Sequence, residues 1–178
     1  ESYTGTDNFY QPTTLFEKRW YWHVKARDNA GNETSWSSGK SFRVDGTTPT
    51  TPENLIPENF ATYENGDNVK LEWANSIDDV NNNDWYSGID NYHIQIATDP
   101  NFNNLIENYI IDNAGDPDAS PTVPGENFHY FVFPDVGHYY WRVRVVDKVG
   151  HWSEWSEVHI VRISTWRVYE TWTGTIHS

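Results

Sequence analysis

An acidic, amide-rich stretch, SIDDVNNNDWYSGID (76–90), has a residue spacing that suits metal binding. Its residues match the first, third, fifth and twelfth positions of a calcium loop at Asp79, Asn81, Asn83 and Asp90. The sixth position is Asp84 where the sharp turn requires Gly, and no helices are predicted on either side. We expect either a solvated loop rich in turn formers or a calcium site that uses some combination of Asp78, Asp79, Asn81, Asn83, Asp84 and Asp90.

Glycan attachment and glycan binding are the second kind of chemistry that the sequence suggests. Asn32-Glu33-Thr34 is an N-glycosylation sequon within a predicted turn, where a glycan would be accessible. Aromatic rings outside the predicted core could also stack on a bound glycan: Trp85, Tyr86, Trp152 and Trp172. A carbohydrate platform needs several rings in one plane, and these rings lie in different loops. Packing or subunit contact is therefore the favoured interpretation of them.

Catalytic chemistry has no support in the sequence. It contains no HExxH, no GxSxG and no Gly-rich phosphate loop, and its histidines and carboxylates are scattered. We therefore expect no enzyme activity within this chain.

Charge and composition exclude other classes of partner. Lys and Arg number 12 against 26 Asp and Glu, a formal net charge of -14, which repels nucleic-acid phosphates and anionic membranes. There is no Cys, so disulfides and thiolate metal sites are excluded. No apolar run approaches the roughly 18 residues that would indicate membrane insertion. The acidic balance suits divalent cations or a solvated surface in a salty medium, and we expect no cofactor apart from the calcium considered for the acidic tract.

The elements that position these residues form a repeat. WYWHVKARDNAGNETSWSS (20–38) aligns without a gap with YYWRVRVVDKVGHWSEWSE (139–157), at an offset of 119 residues (141 − 22). Apolar residues alternate in both copies, at Trp22, Val24 and Ala26 and at Trp141, Val143 and Val145. A period of two predicts strands with one buried and one wet face, each followed by a turn that contains Gly.

Further strands are predicted around the second copy. Alternation indicates NVKLEWANS (68–76) with Trp73 inward and NYHIQIATD (91–99) with Tyr92 inward, after a Pro-rich first edge at 52–62. LIENYII, FHYFVF and EVHIVRI complete the set. Many short strands between Gly, Pro and Asn turns predict an all-β sandwich.

These features resemble the fibronectin type III family. The likeness rests on Trp73 in the second strand, a paired aromatic start to the sixth strand, the Asp-x-x-Gly turn and the Ser/Trp-rich approach to the last strand. It is greatest for the divergent domains of bacterial and archaeal surface proteins. It implies fibronectin type III or immunoglobulin-like β-sandwiches, one complete (47–164) and one partial (1–46, a C-terminal half). The corner tyrosine of such sandwiches is Tyr139 in the second copy but Trp20 in the first, which loses the hydroxyl.

The resemblance also implies a role for WSEWS (152–156). In the cytokine-receptor relatives of the fold, a similar string places its tryptophans between arginines of the neighbouring strand. The same cation–π ladder is therefore expected here, formed by Arg142, Arg144, Trp152 and Trp155. We expect Trp155 to pack within about 6 Å of Arg142 or Arg144.

The partial domain and the chain end lead to the functional expectation. The first three strands of domain one have no counterpart in the sequence, so an upstream segment or another chain must supply them. Residues 165–178 are predicted to form an extra strand or the start of a following module. Their alternating residues would lie on one face of that strand, which makes the segment a candidate donor strand: Trp166, Val168, Glu170 and Trp172.

We expect a non-catalytic structural module of a secreted or cell-surface protein, in which subunits complete one another's sheets to form an extracellular filament or surface layer. Its partners would be copies of itself or neighbouring domains of a longer chain. The alternatives are an adhesin-like module that binds carbohydrate or protein, and an accessory domain of a large extracellular hydrolase.

Overall fold

The protein is all-β in the part that the computed structural model describes, residues 4–7, 9–78, 86–112 and 127–165. These residues contain nine strands and no helix, and so no helix that could span a membrane. The strands are β1 (Lys18–Trp22), β2 (Lys40–Val44), β3 (Ala61–Glu64), β4 (Asn68–Trp73), β5 (Ile89–Ala97), β6 (Leu105–Asp112), β7 (Asn127–Val132), β8 (Gly137–Asp147) and β9 (His159–Ser164).

The nine strands form three sheets. Strands β1 and β2 pair as an antiparallel hairpin, and β4 and β7 form a second antiparallel pair. The third sheet has five strands in the order β3-β9-β8-β5-β6. Its pairings are antiparallel except for β3 with β9, which run parallel.

The core lies between the β4–β7 pair and the five-stranded sheet. Val69, Leu71 and Trp73 of β4 belong to the same buried cluster as side chains of β5, β8 and β9. The ring centroids of Trp73 and Trp141 are 6.5 Å apart. Burying side chains of this size stabilises the fold by about 1.5 to 3 kcal/mol each. The alternation predicted for β4, β5 and β8 is confirmed by this burial.

The predicted first edge at 52–62 is two separate elements. Ile56 exchanges backbone hydrogen bonds of 2.8 and 2.7 Å with Glu72 of β4. A few residues later the chain joins the other sheet, where β3 lies parallel to β9 and Ala61 is opposite Val161. The Pro-rich segment thus contributes to both sheets around the core.

The β1–β2 hairpin repeats the register of β8 and β9. Lys18 pairs with Val44 and Trp22 with Lys40. Adding 119 to each number gives the pairings of Gly137 with Ile163 and of Trp141 with His159, which the second copy contains. The sequence repeat is therefore a structural repeat.

The burial of the two copies differs, and the alternating apolar face of the first copy is exposed in the described part of the chain. Trp22 and Val24 are 49 % and 55 % exposed, whereas Trp141 and Val143 are fully buried. Ala26 is exposed as well, and β1 ends at Trp22. The inward face of β8 is covered by β4 and β7, whereas β1 pairs with no strand other than β2 within the described ranges. Alternation predicts a buried face only where a second sheet is present to cover it.

Candidate functional site

One aspartate holds the turn of each copy. The Asp147 Oδ1 atom accepts hydrogen bonds from the amides of Val149, Gly150 and His151 at 2.9, 2.6 and 2.8 Å. In the first copy Asp28 Oδ1 accepts from the amides of Ala30 and Asn32 at 2.9 and 2.8 Å. Hydrogen bonds from the Asn32 side chain and from the turn amides lower the pKa of Asp28. The sequon residue Asn32 is exposed, and its side-chain amide donates to Asp28 Oδ2 at 2.8 Å.

The serines of WSEWS fix this segment against β8. The Ser156 amide donates to the carbonyl of Val143 at 2.8 Å, and the Ser156 hydroxyl accepts from the Val143 amide at 3.0 Å. Ser153 makes the same pair of bonds with Val145, at 2.9 and 3.1 Å. Both serines are buried and are bonded to the backbone of β8. The tryptophans beside them lie over the arginines on the outward face of that strand.

The structure brings the four ladder residues together. The guanidinium of Arg142 lies 4.2 Å from the ring of Trp155. Arg144 lies 4.5 Å from the same ring and 4.2 Å from that of Trp152. Trp155 is thus in contact with both arginines, and each Arg–Trp contact stabilises an exposed site by about 0.5 to 1 kcal/mol. Arg142 also lies 4.0 Å from Phe102, which the sequence did not indicate.

His93 of β5 is a further member that sequence reasoning missed. Its ring lies 5.1 Å from Trp155, and its Nδ1 accepts a 3.3 Å hydrogen bond from Arg144 Nε. Its Nε2 contacts the Asn108 side-chain oxygen at 2.6 Å, so the neutral ring carries its proton on Nε2. Burial lowers the pKa of His93, the hydrogen bond with Asn108 opposes this, and the charges of the two ladder arginines add to it.

The pairing of β5 with β8 places His93 beside the ladder. His93 pairs directly with Arg144, and Gln95 pairs with Arg142 and accepts hydrogen bonds of 3.1 and 2.8 Å from its guanidinium. Cross-strand neighbours on one face interact in this way. The alternation in β5 predicts that His93 and Gln95 lie on its outward face, but nothing local in the sequence predicts that β5 pairs with β8.

The first copy has a reduced form of the ladder. His23, the counterpart of Arg142, stacks on Trp36 with centroids 4.0 Å apart. Lys25, the counterpart of Arg144, lies 5.0 Å from the same ring and forms an ion pair with Glu33. Glu33 stands where the second copy has Trp152. An ion pair therefore replaces one cation–π contact between the copies.

Of the calcium candidates, the structure describes Asp78 and Asp90. Asp90 lies in β5, and its carboxylate accepts a 2.7 Å hydrogen bond from the Asn91 side chain. Asp79, Asn81, Asn83 and Asp84 lie outside the described residues. Asp78 is 4 % exposed, and its Oδ2 accepts from the Gly88 amide at 2.6 Å. Burial raises the pKa of Asp78, the Gly88 amide opposes this, and the charges of Asp45 and Asp147 add to the rise.

Asp78 therefore belongs to an acidic junction, by which we mean Asp45, Asp78, Asp147 and His151. Asp45, Asp147 and His151 each offer a ligand atom within 4.8 Å of the others. Asp45 accepts hydrogen bonds from the amides of Thr47 and Ser87, at 3.0 and 2.6 Å. These acids are far apart in sequence, so no local spacing indicates the cluster.

The predicted donor-strand residues Trp166, Val168, Glu170 and Trp172, together with Trp85, lie outside the described residues. Of the other aromatic candidates, Tyr86 is exposed, and Trp152 is part of the ladder with 39 % of its surface exposed. A different exposed pair occurs on β7, where the rings of Phe128 and Tyr130 are 5.4 Å apart at an interplanar angle of 71°. These two rings do not form one flat surface.

The fold and site define an all-β chain with two copies of a strand–turn–strand unit. No family model matches the chain, and no curated protein matches it significantly. Among solved structures the chain is similar to the crystal structure of Streptomyces avermitilis alpha-L-rhamnosidase complexed with L-rhamnose, at 16 % identity and a TM-score of 0.36. That match covers 66 % of this chain and 10 % of the rhamnosidase chain, so the chain spans about a tenth of that enzyme's length.

Proposed function

We propose that the chain is a non-catalytic structural module of a secreted or cell-surface protein, built of fibronectin type III or immunoglobulin-like sandwiches. Residues 47–164 form the complete sandwich and residues 1–46 the C-terminal half of another. The packing of the β4–β7 pair on the sheet that contains β8 and β9 supports this fold. The Tyr139 hydroxyl, which donates to the carbonyl of Asp135 at 2.8 Å, supports it as the corner of such a sandwich.

The observation that carries the proposal is the exposed inward face of the β1–β2 hairpin. Trp22, Val24 and Phe42 are all exposed, whereas their counterparts Trp141, Val143 and Val161 are fully buried. Contiguous exposed apolar surface of this kind marks a site of association. The strand pairing of the hairpin matches that of β8 with β9, and β8 is covered by a second sheet. The exposed face of the hairpin therefore fits a second sheet of the same kind.

The free edge of β1 supports assembly by strand complementation. In the second copy β8 is paired on both sides, by β9 and β5, whereas β1 is paired by β2 alone in the described part of the chain. An unpaired edge offers main-chain hydrogen bonds to an incoming strand, and alternating apolar side chains set the register. We propose that strands of a neighbouring subunit, with residues 165–178 as the donor segment, complete the hairpin. Head-to-tail exchange that does not close produces a filament.

The test is the mass of the chain in solution as a function of concentration, measured by light scattering. The wild type should associate as concentration rises. Trp22→Glu should stay monomeric, because it places a charge on the face that is to be covered. The control Tyr21→Glu changes the adjacent, 74 % exposed residue on the opposite face of β1 and should associate like the wild type.

A folded wild-type monomer whose mass is independent of concentration would contradict assembly between chains. Association that persists in Trp22→Glu but is lost in Tyr21→Glu would place the interface on the other face of the hairpin. Val168→Lys tests the donor segment, and unchanged association in this variant would count against its role.

The second candidate is a binding module for carbohydrate or protein, for which the exposed aromatic side chains of β7 offer apolar contact area although their rings are not coplanar. Phe128 and Tyr130 are 42 % and 51 % exposed, and the Lys70 ammonium lies 4.6 Å from the Phe128 ring. Calorimetric titration with glycan mixtures should give heat that Tyr130→Ala abolishes if this face binds sugar. Absence of heat with every glycan would leave the structural role as the function supported.

A further inference from the structure

We infer that the acidic junction is a binding site for a hard divalent cation, calcium, with oxygen ligands from Asp45 and Asp147 and with the buried Asp78 carboxylate beside them. The three carboxylates come from separate elements. Asp45 follows β2, Asp78 lies beyond the end of β4, and Asp147 ends β8. A cation bound there would join the hairpin to the second sandwich, whether or not the chain assembles into filaments.

The distances within the junction suit such an ion. Ligand atoms of Asp45, Asp147 and His151 lie within 4.8 Å of one another. Calcium ligands stand about 2.3 to 2.6 Å from the ion, so two of them are separated by at most about 5 Å. The carboxylates of Asp45 and Asp147 are therefore close enough to share one ion without a change of backbone.

Asp78 gives an independent indication of a missing ligand. Its side chain is more than nine-tenths buried, and its Oδ1 atom is buried without a hydrogen-bond partner. The Oδ2 atom accepts from the Gly88 amide, and the neighbouring Ser87 amide donates to Asp45, so the two carboxylates bind adjacent peptide groups. An unpaired buried carboxylate oxygen is costly, and the positive charge of a cation in the junction would offset that cost.

The neighbouring cationic groups leave this charge largely uncompensated. His151 Nδ1 contacts Asp147 Oδ2 at 2.8 Å. The Lys148 ammonium lies near Gly88, but within the described residues it has no ion pair with Asp45, Asp78 or Asp147. Of the three carboxylates, Asp147 alone has an ion-pair partner among the described residues, and that partner is charged only when it is protonated.

Comparison of the copies favours calcium over a metal that prefers nitrogen. Asn32 occupies the place of His151 in the first copy and makes the equivalent contact with its turn aspartate, Asp28. The His151 contact is thus a feature of the turn that an amide also provides. The donors specific to the junction are the carboxylate oxygens, which are the ligands that calcium prefers.

The test is a calorimetric calcium titration of the full 178-residue chain after treatment with a chelator. We expect binding whose affinity falls at least about tenfold in Asp45→Asn, which removes a charged ligand, and in Asp78→Asn, which removes a negative charge beside the ion. The control Glu154→Gln removes one exposed negative charge outside the junction and should bind like the wild type. Calcium should also raise the melting temperature of the wild type and of the control more than that of the two variants.

Asp45→Asn is the decisive variant, because Asp45 lies outside the acidic tract 76–90 and is half-buried, so the variant should fold. Wild-type affinity in Asp45→Asn would overturn the junction site. Loss of binding in Asp79→Asn with full binding in Asp45→Asn would assign calcium to the tract instead. Absence of any calcium binding would also overturn the inference and would leave Asp78 as a protonated buried acid.

Discussion

Trp20 and Tyr139 occupy the same position in the two copies and make the same hydrogen bond. The Trp20 indole N–H donates to the carbonyl of Phe16 at 2.9 Å, and the Tyr139 hydroxyl donates to the carbonyl of Asp135 at 2.8 Å. In each copy the acceptor lies four residues before the donor. The sequence indicated that the first copy had lost the corner hydroxyl, and the structure shows that the indole N–H replaces its donor role.

Removal of the corner donor should destabilise the part of the chain that contains the second copy. Tyr139→Phe should lower the free energy of unfolding by about 1 kcal/mol, the net value of a typical intramolecular hydrogen bond. Urea denaturation followed by fluorescence measures this. The control Tyr130→Phe removes a hydroxyl from a tyrosine that is half exposed on β7 and should have little effect. Equal stability of Tyr139→Phe and the wild type would show that the hydrogen bond contributes nothing.

The two equivalent tryptophans should respond differently to truncation. Trp141→Ala removes a fully buried ring and should cost about 3 to 5 kcal/mol. Trp22→Ala alters an exposed ring and should change the stability of the monomer by less than about 0.5 kcal/mol. Unfolding curves recorded at low protein concentration compare the two variants directly. A large loss in Trp22→Ala under these conditions would mean that the hairpin face is already covered within one chain.

The cation–π ladder should show coupling between its members. A double-mutant cycle with Arg144→Ala and Trp152→Ala should give a coupling free energy of about 0.5 to 1 kcal/mol. Thermal or urea unfolding of the four proteins in the cycle provides the value. The same cycle on Lys25 and Trp36 tests the reduced ladder of the first copy. Additive effects in the Arg144–Trp152 cycle would show that their contact does not stabilise the fold.

The free energy of unfolding should fall below neutral pH through His93 and His129. Burial lowers the pKa of both histidines in the folded protein. The unfolded chain therefore binds protons at these positions at a higher pH than the folded protein, near the ordinary histidine pKa of about 6.5. As pH falls from neutrality through that value, stability is lost, until the folded-state groups also titrate.

Urea denaturation between about pH 7.5 and 5 measures this slope. His93→Asn and His129→Asn should each make it shallower, and NMR titration should show both side chains to be neutral below the ordinary histidine pKa. Slopes in the two variants equal to that of the wild type would contradict the assignment.

Local patterns in the sequence predicted the strands around the core. The alternation of apolar residues located β4, β5 and β8. A period of two is enough to identify a strand where a second sheet covers its apolar face. The end of β5 was misplaced by two residues, since Asp99 begins a turn in which its carboxylate accepts the amides of Asn101 and Asn104 at 3.0 and 2.8 Å. The side chain of Asp99 thus competes with the strand for the backbone.

The long-range arrangements could not be predicted from the sequence. The pairing of β3 with β9 joins residues about a hundred positions apart, and no local signal specifies it. The junction likewise joins Asp45 with Asp147 through folding alone. The packing of Trp155 against Arg142 or Arg144 was predicted because a family resemblance supplied the cross-strand geometry. The position of His93 could not be predicted, because it depends on the register of β5 with β8.

The β1–β2 hairpin is held by bonds that lie within its own segment. The amides of Val24 and Ala26 donate to the hydroxyls of Ser37 and Thr34, as in the second copy, although no described residue covers the apolar face of the hairpin. Its exposed face is therefore pre-organised, and a docking strand would be the main component to lose conformational freedom. Such a surface acts as a rigid template, so the rate of association should depend chiefly on the conformation of the incoming segment.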